Sequence, residues 1–254
     1  MTRENTIIYG MGLATLEAVN GNACMETSDV SGIKVSGILL DAGEKKSETL
    51  LSVGDKKTDV SHEDNPICFS DVYFRVGGGK YAGKVGNCVT IHSNDVIGDN
   101  FWVWRADHST NVGWDVNTAP NGIVVNGDNV TMYGLFVEHF QEYQTIWNGN
   151  GGKLYFYQSE MPYDVPKQNK YMSHNGKVKG YASLKIGDKA EDFEGYGIGI
   201  YCYNRDADIE IFSGAEIPDK KGIALHNVVT VKLNGHGQIT HVINGQGDAV
   251  TGGG

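Results

Sequence analysis

The sequence predicts an all-β chain wound as one single-stranded, right-handed parallel β-helix. Three observations carry that expectation. Apolar runs of four to eight residues recur along the chain with almost no 3.6-residue period. A polar pair ending in Asp or Asn, then Val, keeps returning ahead of such runs. Finally, the chain is rich in glycine (35) and poor in proline (5), as many short strands joined by tight turns require.

The runs cover residues 33–40, 72–76, 88–92, 100–104, 122–125, 130–137, 153–157, 197–203, 209–212 and 228–233, punctuated by Gly, Asn and Asp. The one helix-like stretch, 188–193, is short. The Asx-Val signal falls at Asp29-Val30, Asp71-Val72, Asp95-Val96, Asn129-Val130 and Asn227-Val228. Irregular steps between these sites suit a solenoid whose coils of a little over twenty residues keep their strands and vary their loops. Asn and Asp tolerate left-handed backbone, so they should mark one angular position where every coil turns. A sandwich would need more Asn-Gly or Asp-Gly hairpin signals than Asn148-Gly149 and Asn234-Gly235, and a propeller a stronger repeat near ~40 to 45 residues. Residues 1–243 are expected to form one domain and residues 244–254 a flexible tail.

Composition narrows the partners. The formal net charge of −10 repels phosphate backbones and polyanionic polysaccharides, while 13 tyrosines and 4 tryptophans suit a neutral polysaccharide or oligosaccharide, on whose sugars such rings stack. No run of eighteen apolar residues could span a membrane. The start, Met1-Thr-Arg-Glu-Asn-Thr6, has no apolar signal core, and 5–10 reads as a strand already under way. The chain is therefore expected to be part of a longer secreted protein, with an open coil edge at 1–10 that pairs with a missing partner domain or another copy. Cys24, Cys68, Cys88 and Cys202 form no C-x-x-C pair, so no zinc ribbon or redox motif is expected, and their disulfide status is open. No cofactor is expected.

Polar and aromatic residues crowd together between 99 and 166. The block holds Trp102, Trp104, Trp114 and Trp147, and the proton-carrying Asp107, His108, Glu138, His139, Glu142, Glu160 and Asp164. Glu138 and Glu160 are one short coil apart, which would stack them on adjacent strands about 4.8 Å from each other. Carboxylates so placed raise one another's pKa and leave one protonated near neutrality, as a general acid requires. Hydrolysis of a glycosidic bond needs such a pair. A solvated face is the bland alternative, less natural for Glu138, which sits between the apolar 134–137 and His139. His108 and His139 lie outside any H-E-x-x-H motif, so no metal site is expected.

These residues also carry a family resemblance. Trp104-x-Ala106-Asp107-His108, then Tyr133-Gly134, Glu138-His139-x-x-x-Tyr143-Gln144 and Gln158-x-Glu160-x-Pro162-Tyr163 resemble the catalytic, pectate-lyase-like β-helix of glycoside hydrolase family 55, the β-1,3-glucanases. The resemblance covers about residues 99–166. It implies an inverting glycoside hydrolase acting on β-glucan, with Glu160 as general acid and Glu138 holding the attacking water. Gln144 and Gln158 would line the sugar site, joined in the substrate contacts by Tyr143, His139, Asp107, His108, Trp104 and Tyr163. The chain departs from the family pattern at Leu135 and Ser159, where threonine is usual, and has room for one of the family's two β-helices. A polysaccharide-binding or structural module without turnover is the second reading. A lyase ranks last, because Arg105 is the only basic residue of the block before Lys153.

Overall fold

The structure, a computed structural model, describes residues 1–250. Two parallel sheets run the length of the molecule. The first contains Ile7–Glu17, Lys34–Asp41, Ile67–Val76, Val96–Arg105, Thr131–Glu138, Gly152–Glu160, Phe193–Asn204 and Ile223–Gly235, in that spatial order. The second contains Met25–Thr27, Ser47–Val53, Val85–Ile91, Asn121–Val125, Thr145–Trp147, Leu184–Ile186 and Ala215–Glu216. Strands of the two sheets alternate along the chain, and each pairs in parallel with the strand one coil away. The molecule is a parallel β-helix. Among the described residues the only helical element is a single 3-10 turn at Gln168–Lys170, and 188–193 forms no helix.

The alternation of side chains builds the core. In the first sheet Leu40, Phe74, Val103, Val137, Ser159, Ile200 and Thr230 lie in register and point inward, all buried. Each fully buried aliphatic or aromatic side chain contributes roughly 1.5–3 kcal/mol. At Ser159 this column turns polar, and a buried hydroxyl cluster satisfies it: Ser183 donates to Ser159 at 2.6 Å, and the Tyr157 hydroxyl lies 2.9 Å from Ser183 and 3.0 Å from Thr145.

The Asx-Val signal marks two angular positions where one was expected. Asp95 and Asn129, in register with Gly32 and Gly151, have positive φ at the turn entering the first sheet. Asp71 and Asn227 belong to a second ladder in the middle of that sheet, with Gly37, Asn100, Gly134, Phe156 and Gly197, all left-handed. There one left-handed residue per strand interrupts the pairing at the same level in coil after coil, while the register on either side is kept. Asp29 belongs to neither ladder. Coil length varies with the loops. It is 22 residues where His139 meets Met161, 34 where Asn87 meets Asn121 and 41 where Asn150 meets Glu191.

At the start, Ile7–Glu17 forms the free edge of the first sheet, with Ile7, Tyr9, Met11 and Leu13 exposed. At the other end the Asn244 side chain bonds both backbone groups of Ile217, and Gly245 N–H donates to Ser213. Of the expected tail, 244–250 is described and 251–254 lies outside the described residues. All four cysteines are thiols.

Candidate active site

The outward side chains at the C-terminal ends of the first-sheet strands form one row. Arg75, Trp104, Glu138, Glu160 and Tyr201 are aligned by the parallel register. Two residues earlier, on the same face, Tyr73, Trp102, Phe136, Gln158 and Gly199 form the next row. Strand pairing therefore places Glu138 and Glu160 side by side, with aromatic neighbours along the sheet and across it.

Each carboxylate is held by different donors. Trp102 Nε1 donates to Glu138 Oε2 at 2.8 Å, and the Trp102 ring stacks on Trp104, centroids 5.5 Å apart. Trp104 in turn packs on the exposed His108 ring at 5.3 Å. Glu160 accepts from Gln158 Nε2 at 3.2 Å and from the Tyr163 hydroxyl. Gln158 Oε1 is buried without a partner. Behind the pair lies His139, buried, with Nδ1 3.2 Å from the Met161 carbonyl oxygen and Nε2 3.6 Å from Asp107 and 4.0 Å from Glu160. Tyr163 packs edge-on against His139 at 4.4 Å, and Asp107 bonds His108 at 2.9 Å.

Burial dominates the electrostatics. It lifts the Glu138 carboxyl to about 7, with the Glu160 charge adding to the effect. It also lowers the His139 pKa, so this ring is neutral near pH 7. Burial and the Glu160 carboxylate push the Tyr163 phenol upward, which keeps its proton available to Glu160.

The loops that carry Asp107 and Tyr163 are clamped from beneath. Fully buried Arg105 makes a two-pronged ion pair with Asp164, at 2.9 and 2.8 Å, and donates to the carbonyls of Asn117, His139 and Gly113. Every bond of this clamp joins segments that flank the carboxylate pair, so the guanidinium is fully satisfied despite its burial.

The structure thus gathers Glu138, Glu160, Gln158, Asp107, His108, Trp104 and Tyr163 about one carboxylate pair on the outer face, and it corrects the expected substrate contact of His139, which is buried behind the pair and held by the Met161 carbonyl. It corrects two further expectations. Gln144 is fully buried: its Oε1 accepts from Phe140 N–H and its Nε2 donates to the Phe140 and Glu142 carbonyls, so it fastens the corner after Glu138 and reaches no ligand. Tyr143 lies past that corner, where its hydroxyl is 3.2 Å from Lys185 Nζ and 3.5 Å from Glu216, beside the second sheet. The motif is contiguous in sequence, but the coil turns within it. Trp102 joins the site without being among the expected contacts. Its position two residues before Trp104, on the same strand face, was the signal that could have found it.

Comparison with known proteins places this groove in context. The family model described as LAM55 pectate lyase-like domain matches residues 1–160. An exo-beta-1,3-glucanase from Streptomyces sp. (strain SirexAA-E / ActE) is 45% identical over 251 residues, covering 98% of this chain and 41% of that protein. The structure of sacteLam55A from Streptomyces sp. SirexAA-E superposes with a TM-score of 0.95 at 45% identity, over 99% of this chain and 46% of that one. A variant of sacteLam55A refined in complex with glucose gives 0.96 at 44% identity, over 99% and 45%. The chain spans less than half the length of these relatives. Since the family model covers more than half of the chain, and the fold and sequence agree along nearly all of it, the chain belongs to the LAM55 pectate lyase-like domain family.

Proposed function

We propose that this chain supplies the catalytic carboxylates of an inverting β-1,3-glucan hydrolase, a secreted protein in which a further domain completes the cleft. The observation that carries the hydrolase reading is the Glu138–Glu160 pair, one coil apart on a face edged by Trp102, Trp104, His108 and Tyr163; the inverting course rests on the resemblance to glycoside hydrolase family 55 and not on the strand spacing. The relative named exo-beta-1,3-glucanase and the glucose complex of sacteLam55A support the substrate class. A polymer too large to enter a cell has to be cut outside it, which supports secretion.

In this mechanism Glu160 delivers its proton to the glycosidic oxygen as the bond to the anomeric carbon breaks. A water held by Glu138 attacks that carbon from the opposite face, and its proton passes to Glu138. Burial lifts the water-holding member of the pair, where the sequence expected the lift on the general acid; a carboxyl near 7 still suits the second task, because a general base works best with a pKa close to the working pH. Tyr163 and Gln158 hold the Glu160 carboxylate as it forms. His139 fixes the ring of Tyr163 from behind.

The test is incubation with laminarin and with β-1,4- and mixed-linkage glucans, following reducing-end release and the first-formed anomer by proton NMR. The expected result is turnover of the β-1,3-linked substrate, giving α-glucose first. A β-anomer product would overturn the inverting mechanism. Binding without turnover, by this chain and by the longer protein alike, would leave a non-catalytic module.

A further inference from the structure

On the far side of the coil, a 41-residue turn throws out an antiparallel hairpin, Met172–Ser173 with Val178–Lys179. This hairpin stands beside the second sheet and walls a cleft of about 380 Å³. The floor is Lys185 and Glu216, which lie in register on neighbouring parallel strands. The walls include His174 and Val178 from the hairpin and Phe212.

Three features make this cleft a ligand site. First, Phe212 is 45% exposed at the rim, with His241 as an aromatic neighbour at 5.0 Å. An exposed flat ring beside polar groups is what the apolar face of a sugar stacks on. Second, the polar floor is loosely tied. Glu216 is 3.3 Å from Lys185, 3.5 Å from the Tyr143 hydroxyl and 3.6 Å from His174. These contacts are long for charge-assisted bonds, so sugar hydroxyls can replace them at little cost. Third, the floor presents both signs of charge, and the chain as a whole carries −10. That balance suits a neutral polyol and disfavours a polyanion.

We infer that this cleft is a second, non-catalytic binding site for a neutral β-glucan chain, separate from the carboxylate groove. The inference rests on the β-1,3-glucan reading of the protein. Tyr143 would serve it through Lys185, whose Nζ sits over the Tyr143 ring at 4.8 Å. A site on this face would hold a polymer near the protein while the groove on the first sheet works at a chain end.

The experiment is a titration of the ¹⁵N-labelled chain with laminarihexaose, read by amide chemical shifts. Two patches of shifts are expected, one around Glu160 and one around Phe212. Phe212→Ala and Glu216→Gln should each weaken the second patch by roughly tenfold in Kd. Both should leave the first patch, and the hydrolysis of laminaribiose, unchanged. The Glu160→Gln variant should keep the second patch intact. Shifts around Glu160 alone would overturn the second site and leave the function standing. Shifts in neither patch would overturn both. Shifts around Phe212 that persist unchanged in Phe212→Ala and Glu216→Gln would also overturn the assignment, since another surface would then be responsible.

Discussion

From His139 to Met161 the chain completes a coil in 22 residues, while the next, from Asn150 to Glu191, takes 41. The two share the edge where Glu160 stands, yet they do different work. The short coil has no residues to spare for loops, so Glu138 and Glu160 are set side by side by strand pairing alone. The long coil places its extra residues beyond that edge. There they become the loop with Tyr163 and Asp164, and the hairpin that walls the opposite face. Rigid spacing thus comes from the tight coil, and the lateral walls, on both faces, come from the loose one.

The largest expected effect tests the tight coil. Glu160→Gln keeps the shape and removes the proton. Turnover on a β-1,3-glucan is expected to fall by at least ~10²-fold, since general acid catalysis contributes ~10² to 10⁴. The unfolding midpoint should stay within experimental error of the parent. Equal rates would dismiss Glu160 as the acid.

The long coil is broken at its clamp. Asp164→Ala leaves the Arg105 guanidinium buried and unpaired, and should cost about 3–5 kcal/mol in urea unfolding. A loss below about 1 kcal/mol would mean that the loop is held elsewhere.

Glu138 gives a pH-dependent comparison. Its carboxyl titrates near 7 in the folded chain against 4.5 unfolded. The folded state therefore keeps the proton longer, and this group's contribution is lost as pH rises from about 4.5 to 7. Glu138→Gln should leave stability unchanged below pH 4.5. Above pH 7 it should raise it by about 2–3 kcal/mol, while slowing hydrolysis at every pH. A stability gain of the same size at pH 4 and pH 8 would show that burial of the charge is not its cause.

The smallest effect concerns Phe156, the one aromatic residue in the left-handed ladder of the first sheet, at φ 61° and 62% exposed. Asn tolerates that backbone better, so Phe156→Asn should stabilise the chain by up to about 1 kcal/mol, less whatever its edge contact with Phe136 contributes. Thermal unfolding would register the sign, and a destabilised variant would mean that the ring contact outweighs the strain.

Much of this arrangement was legible in the sequence. Strand runs without helical period mark the solenoid, and the 22-residue step between two glutamates reports adjacent strands, because in a parallel coil sequence distance becomes strand spacing. The reading failed where the chain turns. Tyr143 and Gln144 follow Glu138 within six residues, yet the corner between the sheets carries one to the opposite face and buries the other. A linear motif holds no record of such a corner. The recurrent Asx-Val pattern blurred for a similar reason: a turn ladder and a mid-strand ladder ask for the same left-handed residues.

That left-handed ladder acts as a crease. Gly37, Asp71, Asn100, Gly134, Phe156, Gly197 and Asn227 interrupt the pairing of their strands at one level, which divides the outer face of the first sheet into two terraces along the strands. The carboxylates stand on the lower terrace, beyond the fold line. Because each coil brings its own segment of the crease, inserting or deleting a whole coil would lengthen or shorten that terrace by one strand spacing, about 4.8 Å, and leave the geometry of every other coil as it was. The reach of the groove along a substrate is therefore a quantity this architecture can change in whole steps, independently of the chemistry it carries.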